Sequence, residues 1–265
     1  MIDIESLAIE MAALFKEESD DSAILVAGQA LAAWGVYYLS DKVPFEQLSA
    51  LASRDVDFYN TRTAEVKKYA SLMADYLSKH GLQMDVFYPE PGDATINVGK
   101  WLIKESSPGQ EQSEPVEIDF INFISGLNNN EISRNVDVFT IGEKSFEILS
   151  PVLCLKARIN NLLNLYPLIG KSAERMENEE QRIKLGIQIV RCHLNELILQ
   201  ANLPRLAHTR AGQILEVAKS ANGRRLFAEK GISVLDAIPS NGLHEKFYNI
   251  SMQDAERKMK RNSES

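Results

Sequence analysis

At 265 residues, with 45% hydrophobic and 25% charged side chains, 14 glycines and 9 prolines, the chain has an ordinary globular composition, which excludes collagenous, mucin-like and wholly disordered classes. It is long enough to bury a sizeable core without disulfides or structural metal, and Cys154 and Cys192 each sit in an apolar helical pattern that suits reduced core thiols. The net charge of -8 is uneven: residues 1–148 hold 11 Lys and Arg against 25 Asp and Glu, whereas residues 149–265 hold 18 against 12. An acidic half offers oxygen ligands to divalent cations and a basic half offers a seat to a polyanion, such as a nucleoside triphosphate or RNA; solvated surface charge is the plainer alternative. No apolar run approaches about 18 residues. The start, Met1-Ile2-Asp3-Ile4-Glu5, is acidic where an export signal carries positive charge, so a cytoplasmic protein with no membrane partner is expected.

In chain order, Ile4, Leu7, Ala8, Met11, Ala12, Leu14 and Phe15 have helical spacing. Ala23-Ile24-Leu25-Val26-Ala27 reads as a strand turning at Gly28 into a helix that carries Ala30, Leu31, Trp34 and Tyr38. After a connection marked by Pro44, Ser49 and Ser53, the stretch Asp55-Val56-Asp57-Phe58-Tyr59 reads as a strand whose two carboxylates share one side. A helix is expected from Thr63 to about His80, stopped by Gly81. Alternating strands follow over Leu82–Tyr88, Ile96–Val98 and Trp101–Ile103 about Gly99, then Val116–Phe120 after a polar turn at 106–113. Asn128-Asn129-Asn130 reads as a loop, and Val136–Phe139 with Phe146–Leu149 as a hairpin around Gly142. Ser150-Pro151 is a helix start, with the serine as cap and the proline in the first helical position. Beyond it the chain reads as helical, with a long stripe through Ile183, Ile187, Val190, Leu194 and Leu197 between Ser172 and Gln200, then helices near Arg210–Lys230 and His244–Met259. The pattern predicts an α+β fold: a mixed sheet flanked by helices up to residue 148, and an all-helical region over 149–265.

Asp-x-Asp alone is a weak signal, but here it lies on an apolar strand, and Asp119 lies on another. Three carboxylates on adjacent strands can hold two divalent ions roughly 3.5–4 Å apart and align an in-line displacement at phosphorus. Without a cation, such clustering would raise the pKa values of its members. The four histidines, His80, His193, His208 and His244, lack zinc-ligand spacing. No nucleophile elbow and no Walker phosphate loop occurs, which sets aside serine hydrolases and P-loop ATPases.

Four segments together resemble the nucleotidyltransferase superfamily of polymerase-beta-like fold, and within it the AbiEii-like abortive-infection and toxin group. Val26-Ala27-Gly28-Gln29-Ala30-Leu31 resembles its glycine motif, Ser53-Arg54-Asp55-Val56-Asp57-Phe58 its paired-aspartate motif and Glu117-Ile118-Asp119-Phe120 its third-aspartate strand. Ile148 to Arg158 resembles its segment after the sheet, in which a helix presents a lysine, here Lys156, to phosphate. Gln29 stands where the family has a second small residue. The resemblance implies a catalytic domain over 1–148 and a helical domain over 149–265. Asp55, Asp57 and Asp119 would be catalytic ligands of Mg²⁺ or Mn²⁺, while Gly28, Gln29, Arg54 and Lys156 would hold the NTP. It further implies NMP transfer to an RNA acceptor such as tRNA or to a protein, in a toxin–antitoxin or phage-defence setting with an antitoxin partner. A catalytically degenerate nucleotide- or protein-binding module is the rival reading, motivated by Gln29. An antibiotic-modifying enzyme is disfavoured, because a basic second half suits a cationic drug poorly.

Overall fold

The computed structural model describes residues 3–19, 23–51, 53, 55–90, 92–105, 114–200 and 204–260. The chain begins with α1 (Ile4–Glu18), capped by the Asp3 carboxylate on the Ser6 amide. There follow β1 (Ile24–Leu25), α2 (Ala27–Leu39), α3 (Phe45–Ser49), β2 (Val56–Tyr59), α4 (Thr63–Lys79), β3 (Leu82–Phe87), β4 (Asn97–Glu105) and β5 (Val116–Ile121). Next come α5 (Asn129–Ser133), β6 (Val136–Ile141), β7 (Lys144–Leu149), α6 (Pro151–Asn160), a π-helical turn at Asn161–Leu165 and α7 (Tyr166–Leu168). The remainder is α8 (Ala173–Leu199), α9 (Pro204–Lys219), α10 (Ala221–Lys230), a 3₁₀ turn at Val234–Ala237, a π-helical stretch at Phe247–Met252 and α11 (Gln253–Lys260). No helix among the described residues is long and apolar enough to cross a membrane.

The fold is α+β: a mixed sheet flanked by helices, with a helical C-terminal region. The chain forms two units, one from residues 1–33 and 51–150 and the other from 34–50 and 151–265. The segment 34–50, which lies in the acidic half of the sequence, thus groups with the helical residues.

In the first unit the strands run β3-β4-β5-β2-β1-β7-β6, with β2/β5 and β1/β7 parallel and the other pairs antiparallel. One face is dry: Phe58, Trp101 and Phe120 pack against Phe15 of α1 and Tyr69 of α4, with ring centroids 4.3 Å apart for Phe15 and Tyr69 and 4.6 Å for Trp101 and Phe120. Burying each such ring contributes on the order of 2–3 kcal/mol. Because side chains alternate along a strand, the residues between these aromatics lie on the opposite face, which is only partly covered along β4 and β5.

In the second unit the expected stripe of α8, Ile183, Ile187, Val190, Leu194 and Leu197, is buried against α6 and α9 through Val152, Leu155, Ala211 and Ile214. The unit also buries charge. Glu179 is fully covered, with Arg158 and Arg182 each 3.3 Å from its carboxylate and Tyr166 Oη at 3.5 Å.

Several local expectations change. The stretch 96–103, read as two strands about Gly99, is one strand, β4, with a bulge between Asn97 and Gly99. Asn128 is not mid-loop but caps α5 on the Glu131 amide. The helix expected over Arg210–Lys230 is broken at Ser220, whose hydroxyl caps α10 on the Gly223 amide. A Cβ at Gly223 would stand 2.1 Å from the Val217 carbonyl oxygen, so glycine is required there. α6 starts at Pro151 as expected, but Ser150 does not cap it: its Oγ is buried with no hydrogen-bond partner among the described residues. Neither cysteine forms a disulfide: Cys154 is buried, and Cys192 is only half-buried, with Lys42 Nζ 3.3 Å from its sulfur. The polar turn at 106–113 lies outside the described residues.

Candidate active site

The strand β2 is short, and its register decides what its carboxylate meets. Val56, Phe58 and Tyr59 are buried, which leaves Asp57 half-exposed. In the parallel pairing with β5, Asp57 stands level with Asp119, and in the antiparallel pairing of β5 with β4, Asp119 stands level with Lys100. Neighbouring strands lie about 4.8 Å apart. One row of the half-covered face therefore reads Asp57, Asp119, Lys100. Asp55 is exposed, just before β2, and its charge is felt at Asp119.

Asp119 is partly shielded, its side chain 19% exposed against 34% for Lys100. Its pKa is raised: burial disfavours the carboxylate most, and the charges of Glu117 and Asp55 add to this, against the pull of Lys100 and a hydrogen bond from Asn97. Asn97 Nδ2 donates to Asp119 Oδ1 at 2.8 Å, and Lys100 Nζ lies 3.9 Å from the same oxygen. Lys100 also pairs with Glu117, a hydrogen bond that is the largest cause of its raised pKa.

On the other side of Asp57, the backbone of β1 turns into α2. Val26 N–H donates to the Asp57 carbonyl at 3.0 Å, so the start of α2 is fixed beside the second aspartate. The turn residue is not Gly28: Ala27 has φ 54°, the left-handed region that favours glycine, and among the described residues it is the one non-glycine there. Gly28 is needed for a different reason, since a Cβ on it would stand 2.4 Å from Ser53 Oγ and 2.8 Å from Ser53 Cβ. Gln29 is buried, and its Nε2 donates to the Ser53 carbonyl at 2.6 Å. Ser53 Oγ in turn donates to the Asp55 carbonyl at 2.6 Å. Gly28 and Gln29 thus set the course of the chain into the paired aspartates.

The structure brings together Gly28, Gln29, Asp55, Asp57 and Asp119 within the first unit. Lys156 lies in the second unit, half-buried on α6. Arg54 lies outside the described residues. Sequence reasoning placed Ser53 in the connection and at the head of the paired-aspartate motif without giving it a role, and missed Asn97 and Lys100; strand alternation could have placed Lys100 on the aspartate face, but no local signal marks Asn97.

The donor set is hard oxygen, with two carboxylates in register and a third nearby, which fits Mg²⁺ or Mn²⁺. Among the described residues no three such groups stand close enough to form a ready-made cage. That accords with the habit of Mg²⁺, which takes one or two carboxylates and completes its shell with water and substrate phosphates.

No family model matches the chain, and no curated protein does. Among solved structures, the Megavirus polyadenylate synthase is similar over 74% of this chain at 11% identity and a TM-score of 0.43; the chain spans 36% of that protein's length. A provisionally named nucleotidyltransferase of H. pylori is similar over 87% of this chain and 99% of its own, at 14% identity and a TM-score of 0.35. JHP933 from Helicobacter pylori is similar over 87% of this chain and 97% of its own, at 15% identity and a TM-score of 0.33.

Proposed function

We propose that the first unit is the catalytic domain of a metal-dependent nucleotidyltransferase, which moves an NMP from an NTP to an acceptor hydroxyl. The observation that carries this reading is the in-register pair Asp57 and Asp119 on parallel strands, with the strained β1–α2 turn fixed beside Asp57. Asp57 and Asp119, with Asp55, would hold Mg²⁺ or Mn²⁺. The ion, when bound, supplies Lewis-acid stabilisation of the oxygens around the reacting phosphorus. Free amides in the first turn of α2 face the triphosphate, favoured by the positive end of the helix dipole. Gly28 and Gln29 position the Ser53–Asp55 segment. Asn97 and Lys100 hold the Asp119 carboxylate in one orientation while no cation shares it. Asp119, beside the reacting centre, would also accept the acceptor's hydroxyl proton. The acceptor is RNA or protein, and the basic residues of 149–265 favour RNA.

A second reading, a silent nucleotide-binding module, is favoured by one observation: Lys100 already supplies a cation to Asp119. One experiment separates the two. The chain is incubated with α-labelled NTPs, Mg²⁺ and total cellular RNA and protein, and the label is located by mass spectrometry. Label on an acceptor is expected, falling at least about 100-fold in Asp57→Asn and in Asp119→Asn, since each removes a charge that acts on the transition state. Equal labelling by either variant overturns the assignment, and metal-dependent NTP binding without labelling selects the silent module.

A further inference from the structure

Beneath the connection from β3 to β4, wholly within the first unit, lies a pocket of about 410 Å³. Its lining includes Phe87, Tyr88, Asp93, Thr95, Asn97 and Lys100. Asn97 and Lys100 are the two residues that reach Asp119 Oδ1, at 2.8 and 3.9 Å, so whatever fills the pocket lies against the candidate reaction centre.

The chemistry of the walls narrows the occupant. Phe87 ends β3 level with Lys100 and is 52% exposed, on a face that carries Gln83, Asp85, Lys100 and Lys104 with Leu102 among them. An aromatic ring left uncovered there is a stacking platform without its partner. Thr95 Oγ1 accepts from the Asn97 amide, and Asn97 Nδ2 is spent on Asp119. Asn97 Oδ1 makes no hydrogen bond among the described residues and is left to accept from a ligand N–H. Lys100 is committed to Glu117 and Asp119, and Asp93 adds a negative charge. Among the residues that line the pocket, a free phosphate would find no cation to spare. A neutral flat ring with hydrogen-bonding edges would find a stacking face, an acceptor and enough room, since ligand pockets begin at about 300 Å³.

We propose that this pocket binds the nucleoside moiety of one reaction partner, with the base against Phe87 and its edge toward Asn97. The proposal rests on the nucleotidyl-transfer reading and extends it. The nucleoside is that of the donor NTP or the terminal one of an RNA acceptor; both present the same base and ribose.

The test uses the full chain and begins without metal or turnover. The four ribonucleosides, and ribose 5-phosphate as a probe without a base, are titrated into the wild type, Phe87→Ala and Phe87→Trp, with binding followed by NMR shifts. At least one nucleoside is expected to bind the wild type, to weaken about 5-fold or more in Phe87→Ala and to recover in Phe87→Trp, while ribose 5-phosphate does not compete. Because Phe87 is half exposed, neither change threatens the fold, and near-ultraviolet dichroism checks this. Equal affinity in wild type and Phe87→Ala, no nucleoside binding at all, or competition by ribose 5-phosphate overturns the pocket. In the labelling assay, a raised KM for NTP in Phe87→Ala identifies the donor nucleoside and a raised KM for RNA identifies the acceptor's; with both unchanged, the pocket is overturned. Nucleoside binding that depends on Phe87, in a protein that transfers no label, supports the pocket and overturns the activity instead.

Discussion

In the first unit Asp57, Asp119, Glu117 and Lys100 share a half-covered sheet face, whereas in the second Glu179, Arg158 and Arg182 are sealed together beneath helices. The same residue types have opposite uses. On the sheet, Lys100 stands among Asp57, Asp119 and Glu117, so the patch is left with negative charge that a cation or a substrate can claim. In the helical unit, one carboxylate is enclosed by two guanidinium groups and a tyrosine hydroxyl; the surplus positive charge is buried, and Arg182 also donates to the Ala50 carbonyl. Desolvation explains the difference: a charge wholly removed from water must find its partners inside the fold, while one at a half-covered face keeps water as an alternative.

The largest expected effect removes one negative charge from each region. Glu179→Ala leaves two arginines buried without their carboxylate and is expected to cost the second unit about 3–5 kcal/mol. Asp119→Ala removes a carboxylate whose charged form burial already disfavours, and is expected to change the stability of the first unit by less than about 0.5 kcal/mol. The two tryptophans make the comparison measurable, because Trp101 sits in the aromatic core of the first unit and Trp34 packs on Tyr38 and His193 in the second. Urea unfolding followed with Trp34 or Trp101 as the sole tryptophan reads each unit. Equal losses in the two variants would erase the distinction.

A smaller effect of about 3 kcal/mol concerns pH. His193 is buried, and its pKa falls to about 4 from burial first and the charge of Arg210 second. Tyr38 Oη donates to Glu196 and lies 3.0 Å from His193 Nδ1, which therefore carries the proton toward Tyr38, while Nε2 is buried without a partner. Protonating Nε2 would bury an unpaired donor. Since the folded pKa is depressed, the unfolded chain binds more protons between pH 6.5 and 4. The stabilisation is complete above about pH 6.5, is lost as pH falls toward 4, and amounts to about 1.4 kcal/mol per pKa unit. Trp34-detected unfolding of the wild type is expected to show this slope, and His193→Phe to lack it. A slope that persists in His193→Phe would assign it to other groups.

How much of this was legible in the sequence follows from the range of each interaction. The alternation around Asp57 and Asp119 is local, so both strands and their shared face could be read directly, as could the α8 stripe. Asn97 and Lys100 reach Asp119 only through the β4–β5 register and the bulge before Gly99, which depend on chain pairing more than 15 residues away in sequence. Residues 34–50 join the helical unit because Trp34 and Tyr38 pack on His193, a contact no window of sequence contains. Gly28 was the natural turn residue, yet its glycine serves the close approach of Ser53, and the left-handed conformation falls to its neighbour.

That neighbour supplies the smallest and most discriminating prediction. Ala27 in the left-handed region costs about 1–2 kcal/mol that glycine would not incur, while glycine adds about 0.4–1 kcal/mol of backbone entropy to the unfolded chain. Ala27→Gly is therefore expected to raise the stability of the first unit by about 0.5 kcal/mol, read from Trp101, and to leave Trp34-detected unfolding unchanged. Strain that persists at a site is held there by its surroundings. Here Val26 N–H is tied to the Asp57 carbonyl, and Gly28 is packed on Ser53, so the turn can relax only if one of those contacts shifts. If the strain holds the first amides of α2 in place for the triphosphate, Ala27→Gly will be more stable but slower in label transfer, with a raised KM for NTP. A variant that is more stable and equally fast would make the strain a cost of folding the β1–α2 turn and nothing more. One that is less stable by about 1 kcal/mol or more would show that the Ala27 methyl group packs favourably enough to outweigh its backbone conformation.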